Sequence, residues 1–585
     1  MPKISGGELL CRALKKEGVR YVFGLPGAQL ATFMDAIARD YEMKFIMTRH
    51  EASAAMMADG WSRITGQPGV CCGTVGPGAT NLVGGVGNAY HDSSPIVVIT
   101  PNVQSFRAYP FKESIQALNQ YDLFKPITKW NAIVWEWDRI PEMVQRAFRE
   151  ALSGRPGPVH LDIPVDILFE WKDEIPLPEP HEYRPIGRIR AQAELVKKVV
   201  ELLAKAERPL LLAGGGVLRS QAMPELREVA EYLCIPVITT VSGAGSLPAD
   251  HPLWIGDSGW LGGDAVVKAI KEADVVLALG CRFSEWIGLG KPPIWPESGQ
   301  KIVHVDIDPR VIGMNVRCEI GIVSDAKAFL EDMLQILERD FKRFEGVREW
   351  VKELKETHQR YMAQFEAEEK AKSPITYARV MKELRDFLSR DAIVAYDGGQ
   401  TMVWAMTYLR QLEPQGYGRL DGSGLGQLGF GLPMAIAAKL ARPHRQVVDV
   451  TGDGSFMITA CELETAVRYN VPVVVVICHD NAWGLVKALQ ESLFERTVGV
   501  DFVDVDYSKL AQVLGCYGER VTDGDEIRGA LQRAFDAGKP AVLDIPVKYS
   551  RHPVDKYWGY CLQGCFRGLP APDAIGAPKV IPTLS

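Results

Sequence analysis

Short β-branched runs alternate with helix-length amphipathic stretches through most of the chain, and this alternation restricts the fold more than any other feature. It is typical of parallel sheets covered by helices. The predicted strands form three groups: 20–23, 69–74, 95–100 and 159–163; then 209–213, 235–240, 274–280 and 301–307; then 392–397, 446–451, 471–478 and 541–545. The chain is therefore predicted to be an α/β protein with three doubly wound parallel-sheet domains.

The stretches between these groups are typical of surface connections. Residues 175–187 contain four prolines among charged residues, which suits an extended linker. Residues 344–372 are dense in lysine and glutamate, with apolar residues at helical spacing, which suits a connecting helix. The 585 residues are thus divided into domains at 1–172, 188–342 and 373–548, with a tail at 549–585.

An internal similarity relates the first and third domains. Residues 158–165 read PVHLDIPV and residues 540–547 read PAVLDIPV, so six of the eight positions are identical. Each run closes its domain as a predicted buried strand. The alternative is coincidence between two apolar strands, but the shared LDIPV favours duplication, and we expect the two domains to be homologous.

Charge, cysteines and hydropathy exclude several classes of function. The net charge of -7 is spread along the chain and attracts no polyanion, so nucleic acid is not expected as a partner. The longest apolar run, 471–478, is far short of the roughly 20 residues that span a bilayer. An odd count of 11 cysteines without a secretion signal is typical of reduced thiols, which predicts a soluble cytoplasmic protein.

Two carboxylates are predicted to meet at one edge of the third sheet. Gly452, Asp453 and Gly454 follow one predicted strand, and Asp480 follows the next. Parallel strands end on the same edge, where such folds bind ligands. Oxygen ligands without histidine or cysteine favour Mg²⁺ or Ca²⁺, and Mg²⁺ commonly shares phosphate oxygens, so a phosphorylated cofactor is predicted. For the GDG run alone, the alternative is an ordinary Asp-Gly turn.

These residues lie in motifs that resemble a known family. The run GDGSFMITACELETAVRYNVPVVVVICHDN, from Gly452, is similar to the diphosphate-binding motif of thiamine-diphosphate (ThDP) enzymes. Five further segments resemble the acetolactate synthase and benzaldehyde lyase branch of this family: FGLPGAQL from Phe23, RHEASAAMMADGWSR from Arg49, GPGATNLVGGVGNAYHDSSPIVVIT from Gly76, VDIDPRVIGMN from Val305 and GLGQLGFGLPMAIAAK from Gly424. The resemblance implies pyrimidine-binding, central and diphosphate-binding domains, ThDP with Mg²⁺ between two chains, and a homodimer or homotetramer.

The resemblance also assigns roles to residues on both sides of the cofactor. Asp453, Asp480 and the Ala482 carbonyl would hold Mg²⁺, although the family commonly has Asn at the position of Asp480. Glu51 would act on the pyrimidine ring, Leu428 would support the folded cofactor and the Gly426 carbonyl would accept a hydrogen bond. From the residues alone, Glu51 in an apolar context argues for a ligand partner, and the alternative is an exposed glutamate at a helix start. The remaining cofactor-binding residues are Gln400, Thr401, Gly452, Gly454, Ser455 and Trp483.

Substrate choice depends on a loop and a glutamine of the first domain. Ala28 and Gln29 would face the reactive carbon, and Gln116 aligns with a glutamine that both branches place in the pocket. Benzaldehyde lyases have His at the position of Gln29, and typical acetolactate synthases have small residues in this loop. The predicted function is an acetolactate synthase-like carboligase acting on 2-oxo acids, aldehydes or acyloins. The alternatives are a benzaldehyde-lyase-like or 2-hydroxyacyl lyase, and a non-catalytic ThDP-binding homologue, against which Glu51, Asp453 and Leu428 weigh.

The central domain and the tail carry further expectations. Several central-domain residues resemble positions around FAD or ADP in relatives: the glycine triplet 214–216, Arg282, Asp306, Ile307 and Asp325. For the glycines, a tight strand-to-helix turn is an equally good explanation. The segment GDSGWLGG from Gly256, and Leu489 in place of a pocket tryptophan, depart from the FAD-containing acetolactate synthases. The aromatic tail is predicted to form a lid or to pack on the dimer surface, through Tyr549, Tyr557, Trp558, Tyr560 and Phe566.

Overall fold

The first domain alternates strands with amphipathic helices. The structure is a computed structural model that describes residues 3–40, 42–108, 113–292, 294–412, 418–422 and 424–554. The elements of the first domain are β1 (Lys3–Ser5), α1 (Gly6–Lys16), β2 (Tyr21–Gly24), α2 (Ala31–Arg39), β3 (Lys44–Met47), α3 (Glu51–Thr65), β4 (Gly69–Cys72), α4 (Pro77–His91), β5 (Ile96–Asn102), α5 (Gln120–Phe124), β6 (Trp130–Ile133), α6 (Ile140–Leu152), β7 (Val159–Pro164), α7 (Val165–Phe169) and β8 (Trp171–Asp173).

In this part of the described chain, a parallel sheet has the order β3-β2-β4-β5-β7-β6, and β1 pairs with β8. Helices cover the sheet because their apolar residues recur once per turn. In α6, Ile140, Val144 and Phe148 share the buried face.

The central domain has the strand order expected of a nucleotide-binding sheet. Its elements are α8 (Ala193–Lys205), β9 (Pro209–Ala213), α9 (Gly215–Arg219), α10 (Met223–Leu233), β10 (Val237–Thr239), β11 (Trp254–Gly256), α11 (Asp264–Glu272), β12 (Val275–Leu279), β13 (Lys301–Asp306), β14 (Ile320–Val323) and α12 (Ala326–Asp340). The parallel order β11-β10-β9-β12-β13-β14 reverses at β9, and such switch points form ligand crevices. Helix α13 (Glu349–Ala363) follows in the predicted connection.

The third domain repeats the plan of the first. Its elements are α14 (Tyr377–Phe387), β15 (Ile393–Tyr396), α15 (Gln400–Tyr408), β16 (Arg419–Leu420), α16 (Gly431–Ala441), β17 (Val447–Gly452), α17 (Asp453–Thr459), α18 (Glu462–Arg468), β18 (Val474–His479), α19 (Gly484–Phe494), α20 (Tyr507–Val513), β19 (Tyr517–Arg520), α21 (Ile527–Asp536) and β20 (Ala541–Pro546). The parallel order is β16-β15-β17-β18-β20-β19.

The order of strands is the same in the first and third sheets. Counted along the chain, each sheet runs second, first, third, fourth, sixth, fifth. The two LDIP segments lie in β7 and β20, which take the same place in their sheets. The predicted class of three parallel-sheet α/β domains is confirmed, and the shared strand order is what duplication would produce.

The first and third domains also share a core. Helices α3 and α16 cross so closely that a Cβ on Gly60 would lie 2.9 Å from the Met434 Cα. Apolar residues of both helices belong to one buried cluster. Within the described residues, no helix combines the length and the apolar character needed to cross a membrane.

Candidate functional site

The predicted carboxylates of the third domain emerge side by side. Strands β17 and β18 are parallel neighbours, with Gly452 opposite Cys478. Asp453 begins α17 directly after β17, and Asp480 follows the end of β18 by one residue. Two acidic side chains therefore leave adjacent strands at the carboxyl edge of the sheet.

Asp453 is buried and only half satisfied. Its Oδ1 accepts the Gly454 N–H at 2.9 Å, whereas Oδ2 is buried without a hydrogen-bond partner and lies 3.8 Å from the His479 Nε2. Burial, and then the neighbouring charge of Asp480, raise the pKa of Asp453 to about 7. A buried carboxylate oxygen without a donor is costly, so this position favours a cation.

Asp480 is held at both oxygens. Its Oδ1 accepts the Ala482 N–H at 3.1 Å, and its Oδ2 accepts the Tyr377 hydroxyl at 2.6 Å. The following loop is fixed by two bonds, Trp483 N–H to the Val500 carbonyl and Phe502 N–H to the Asn481 carbonyl. Neither of these bonds uses the Ala482 carbonyl, which is the third ligand predicted from the sequence.

A buried chain of polar groups lies behind this loop. His479 is enclosed, with Nδ1 2.8 Å from the Asp544 Oδ1 and Nε2 2.8 Å from the Asn481 Oδ1. Asp544 is the aspartate of the second LDIP segment. These hydrogen-bonded polar groups were not predicted from the sequence, although the aspartate repeated in both LDIP segments was the signal that could have revealed them.

The other predicted diphosphate residues surround the two strand ends. Gln400 and Thr401 are buried at the start of α15, and the Gln400 Oε1 has no hydrogen-bond partner. A Cβ on Gly452 would lie 3.2 Å from the Thr401 Oγ1. Ser455 is also buried. These side chains lie at the same edge of the sheet as Asp453, and their contact with a diphosphate stays a prediction.

Gly454 and Trp483 make a close packing contact. A Cβ on Gly454 would lie 2.7 Å from the Trp483 Cζ3, and the Trp483 ring meets Phe502 edge to face at 5.1 Å. The second glycine of GDG is thus required by the tryptophan ring. The cofactor-binding role of Trp483 stays a prediction.

The loop before α16 carries the predicted pyrimidine contacts of this domain. Gly426 has φ +72°, which favours glycine, and Leu428 is half-buried. The buried Asp397 carboxylate accepts the N–H groups of Gly429 and Gly431 at 3.2 and 2.9 Å. Asp397, which the sequence analysis did not single out, therefore ties this loop to the end of β15.

Glu51 lies in the first domain and is buried. It is the first residue of α3, its side chain is 5% exposed, and its Oε2 accepts the Asn81 Nδ2–H at 2.9 Å. The Oε1 faces Gly78, where a Cβ would lie 3.2 Å away. The alternative of an exposed glutamate at a helix start is therefore wrong.

A carboxylate of the third domain fixes the segment before Glu51. Glu462 is fully buried, and its Oε1 accepts the N–H groups of Arg49 and His50 at 3.0 and 3.1 Å. Its Oε2 accepts the Thr465 hydroxyl at 2.7 Å. The position of Glu51 thus depends on a residue more than 400 positions later, which sequence reasoning missed.

The predicted substrate residues form a separate group on the first domain. Gln29 donates to the Gln116 Oε1 at 3.3 Å and accepts the Thr74 hydroxyl at 3.0 Å. Ala28 and Gln116 are exposed. Buried Gln120 supports this region, because it accepts the Gly76 N–H at 2.8 Å and donates to Asp162, the aspartate of the first LDIP segment, at 2.7 Å.

The predicted residues therefore form two groups. One lies at β17 and β18 of the third domain and the other at β2, α3 and α4 of the first. Across the described ranges of this single chain, no hydrogen bond joins Glu51 or Gln29 to Asp453 or Asp480. Likewise, the described side chains form no cluster of three His, Cys, Asp or Glu residues that could hold a metal alone.

A cavity of about 790 Å³ lies between the first and central domains. It gathers the central-domain residues singled out in the sequence: Gly215, Gly216, Arg282, Asp306, Ile307 and Asp325. Its charged lining is mainly basic, with Arg149, Arg155, Arg184, Arg188, Arg219 and Arg282 against Asp92, Asp306 and Asp325. A Cβ on Gly214 would lie 2.1 Å from the Gly280 carbonyl oxygen, so strand-to-helix packing requires this glycine.

The start of the tail is anchored to the third domain. The Gln400 Nε2–H donates to the Ser550 carbonyl at 2.9 Å. His552 is buried against Trp404, with ring centroids 4.4 Å apart. Tyr557, Trp558, Tyr560 and Phe566 lie outside the described residues.

Comparisons with known proteins agree with this arrangement. Three family models match: the N-terminal TPP binding domain of thiamine pyrophosphate enzymes over residues 4–123, the central domain over 196–333 and the C-terminal TPP binding domain over 397–545. A probable acetolactate synthase large subunit of Methanocaldococcus jannaschii is 38% identical over 558 residues, which cover 93% of this chain and 92% of the relative.

Two bacterial relatives extend this similarity. The acetolactate synthase large subunit of Haemophilus influenzae is 33% identical over 560 residues, covering 94% of this chain and 96% of the relative. The acetolactate synthase isozyme 3 large subunit of Escherichia coli is 31% identical over 567 residues, with the same coverage of 94% and 96%.

Proposed function

The chain belongs to the thiamine pyrophosphate enzyme family, in the branch of the acetolactate synthase large subunits, and from this premise we propose that it joins two 2-oxo acids, pyruvate first among them. It is a ThDP-dependent, acetolactate synthase-like carboligase. The single observation that most strongly supports a cofactor site is the pair of carboxylates at the ends of β17 and β18, in which the Asp453 Oδ2 is buried and has no hydrogen-bond partner.

The residues present fit ThDP and Mg²⁺. Asp453, Asp480 and the Ala482 carbonyl would contact the metal. Two carboxylates and one carbonyl are too few for the octahedron of Mg²⁺, so diphosphate oxygens and water would complete it. Gln400, Thr401 and Ser455 would surround the diphosphate, and Gly426, Leu428 and Glu51 the pyrimidine. When bound, ThDP supplies a nucleophilic carbon that also accepts electrons during C–C bond making and breaking.

The Glu51 carboxylate has a defined position. Asn81 fixes its Oε2, and its Oε1 is directed towards Gly78, where a Cβ would also lie 2.9 Å from the Gly73 carbonyl carbon, so only glycine fits beside this oxygen. A buried carboxyl in this setting can share a proton with a ring nitrogen. The neighbouring apolar residues, Ala54, Ala55 and Met56, are buried and keep water away from this carboxylate.

The amides of Gln29 and Gln116 would orient the substrate. They contact each other, and Thr74 fixes the Gln29 side chain through its carbonyl oxygen. An amide N–H directed at a carbonyl or hydroxyl of the substrate stabilises charge that develops there. The same pair would suit an acyloin, and this favours a benzaldehyde-lyase-like or 2-hydroxyacyl lyase activity as the second candidate.

We propose that the working form is a homodimer or a pair of homodimers, located in the cytoplasm. The loop around Gly426 is bordered by apolar side chains that one chain leaves open: Leu425, Met457 and Ile458 are 46, 49 and 52% exposed. A second copy would cover this surface and bring the first domain of one chain to the third domain of the other. The nine cysteines of the described residues are all free, as a reducing compartment would keep them.

The basic cavity is proposed as a nucleotide site for FAD or ADP. Its volume of about 790 Å³ and its arginines suit phosphates, and β9 lies at the switch point of the sheet. The glycines give no support, since packing explains them. Chromatography of the small molecules released from denatured protein, together with the visible spectrum, would distinguish FAD, ADP and an empty cavity.

Product analysis tests the proposed reaction. Chelator-stripped protein is supplied with ThDP, Mg²⁺ and pyruvate, and separately with benzoin, and products are identified by mass spectrometry. Acetolactate from pyruvate supports the carboligase, whereas benzaldehyde from benzoin supports the lyase. Glu51→Gln should lower the rate by about 10²- to 10⁴-fold, the range of a proton-transfer group. Full activity of Glu51→Gln would contradict the proposed role.

A further inference from the structure

Tyr377 is a buried neighbour of the proposed metal ligand Asp480. It is the first residue of α14, its side chain is 1% exposed, and its ring stacks on Trp404 with an interplanar angle of 2°. Its hydroxyl lies 2.6 Å from the Asp480 Oδ2. Because the ring is fixed in the core, the hydroxyl has one position relative to the carboxylate.

The same oxygen of Asp480 is enclosed on a second side. A Cβ on Gly484 would lie 2.6 Å from the Asp480 Oδ2 and 3.2 Å from the Gln400 Cβ. The other oxygen, Oδ1, faces the loop and accepts the Ala482 N–H. The two oxygens are therefore not equivalent, since Oδ2 lies against the protein interior and Oδ1 lies beside the Ala482 backbone.

A carboxylate can give a metal one oxygen or two, and the choice affects which ion fits. Ca²⁺ takes six to eight oxygens and accepts bidentate carboxylates, whereas Mg²⁺ requires a compact octahedron. The Asn that is common at this position in the family offers only one oxygen. Asp480 brings a second oxygen, and in this chain Tyr377 engages it.

We infer that Tyr377 is a positioning residue that determines metal specificity: by engaging the Asp480 Oδ2, it makes the carboxylate present a single oxygen, as an amide does, and so favours Mg²⁺ over Ca²⁺. This inference rests on the proposed role of Asp480 as a ligand. A tyrosine hydroxyl can donate to a carboxylate or accept from an amide, so the same residue would also serve an Asn.

Competition between metals tests the inference without measuring turnover. Holoenzyme is reconstituted with ThDP and Mn²⁺, free Mn²⁺ is followed by electron paramagnetic resonance, and Mg²⁺ or Ca²⁺ is added as competitor. Tyr377→Phe should shift the affinity ratio towards Ca²⁺ by about tenfold, a change on the scale of one hydrogen bond to a charged group. The double variant Tyr377→Phe/Asp480→Asn should return to the wild-type ratio, because only one oxygen remains.

Tyr408→Phe is the matched control. It removes a second buried tyrosine-to-carboxylate bond of the same domain, 3.0 Å to the Glu369 Oε1, and should leave the ratio unchanged. A wild-type ratio in Tyr377→Phe would overturn the inference, as would a shifted ratio in the double variant.

The single variant Asp480→Asn tests the inference even if Tyr377→Phe does not fold. With Tyr377 intact, it should weaken both metals and keep their ratio. A large change in that ratio would overturn the inference. Failure of the wild type to bind Mn²⁺ would instead contradict the proposed metal site itself.

Discussion

Replacing Glu462 should damage a site to which it contributes no contact. Glu462→Ala removes the acceptor for the Arg49 and His50 N–H groups, whose hydrogen bonds fix the segment that precedes Glu51. Each N–H left without a partner costs about 1–3 kcal/mol. Since residues 49 and 50 are themselves exposed, water can enter, and the lower part of that range applies. The expected loss of stability is about 2–4 kcal/mol.

The acceptor oxygen, and not the charge, should decide the outcome. Burial raises the pKa of Glu462, so its negative charge is less favourable in the fold than in water. Glu462→Gln keeps an oxygen for both N–H groups and should fall within about 1 kcal/mol of the wild type. The carboligation rate should follow the same order, with Ala severely impaired and Gln close to normal, because only Ala releases the start of α3.

Urea unfolding and steady-state kinetics measure both effects. Glu464→Ala is the control, because Glu464 lies on the same helix and forms an ion pair with Arg468. The Glu464 side chain is 38% exposed, and exposed ion pairs contribute about 0–1 kcal/mol to stability. Midpoints are compared under one set of conditions because a three-domain chain need not unfold in two states. Equal damage from Glu462→Gln and Glu462→Ala would refute the reasoning, and so would a Glu462→Ala variant as stable as the control.

Three further predictions follow from single contacts. Gly454→Ala places a Cβ 2.7 Å from the Trp483 ring and should lower stability by about 1–3 kcal/mol in urea unfolding; an unchanged midpoint would show that the ring moves freely. Asp453→Asn should abolish binding of Mn²⁺ in the presence of ThDP, as followed by paramagnetic resonance, and retained binding would place the metal elsewhere. Burial lowers the folded pKa of His358 from its ordinary 6.5 to about 3, so the unfolded chain takes up the proton first and stability is lost as pH falls below 6.5. Between pH 7 and pH 5 the wild type should therefore lose about 2 kcal/mol more than His358→Gln, and parallel pH curves would contradict this.

The sequence predicted the middle of each sheet and missed its edges. The twelve predicted strands correspond to the four inner strands of each six-stranded sheet. The outer strands β3, β6, β11, β14, β16 and β19 were missed, as were β1 and β8, which pair with each other. Inner strands of parallel sheets are buried on both faces and are therefore continuously apolar. The edge strands β6 and β19 have only partly buried residues and lack that pattern.

The sequence singled out candidate ligand-contacting residues but not the residues that hold them in position. Motifs pointed to Glu51, Asp453 and Asp480 because each follows a strand or begins a helix at a recognisable place. Glu462 and Tyr377 could not be found in this way, since each acts through a contact made only when distant segments meet. Asp544 also makes a distant contact, 65 positions from His479, but the repeated LDIP segment marked it in the sequence.

Proton exchange at the reactive carbon of added ThDP tests the central claim most directly. The claim is that buried Glu51 and the metal site of Asp453 and Asp480 together activate one cofactor. The measurement follows loss of the thiazolium proton into deuterated water by quenched-flow NMR, for the wild type and for Glu51→Gln, each saturated with ThDP and Mg²⁺. The account predicts fast exchange in the wild type and exchange slower by about 10²-fold or more in the variant. Equal rates in the two proteins, or a wild-type rate no faster than free ThDP, would contradict it.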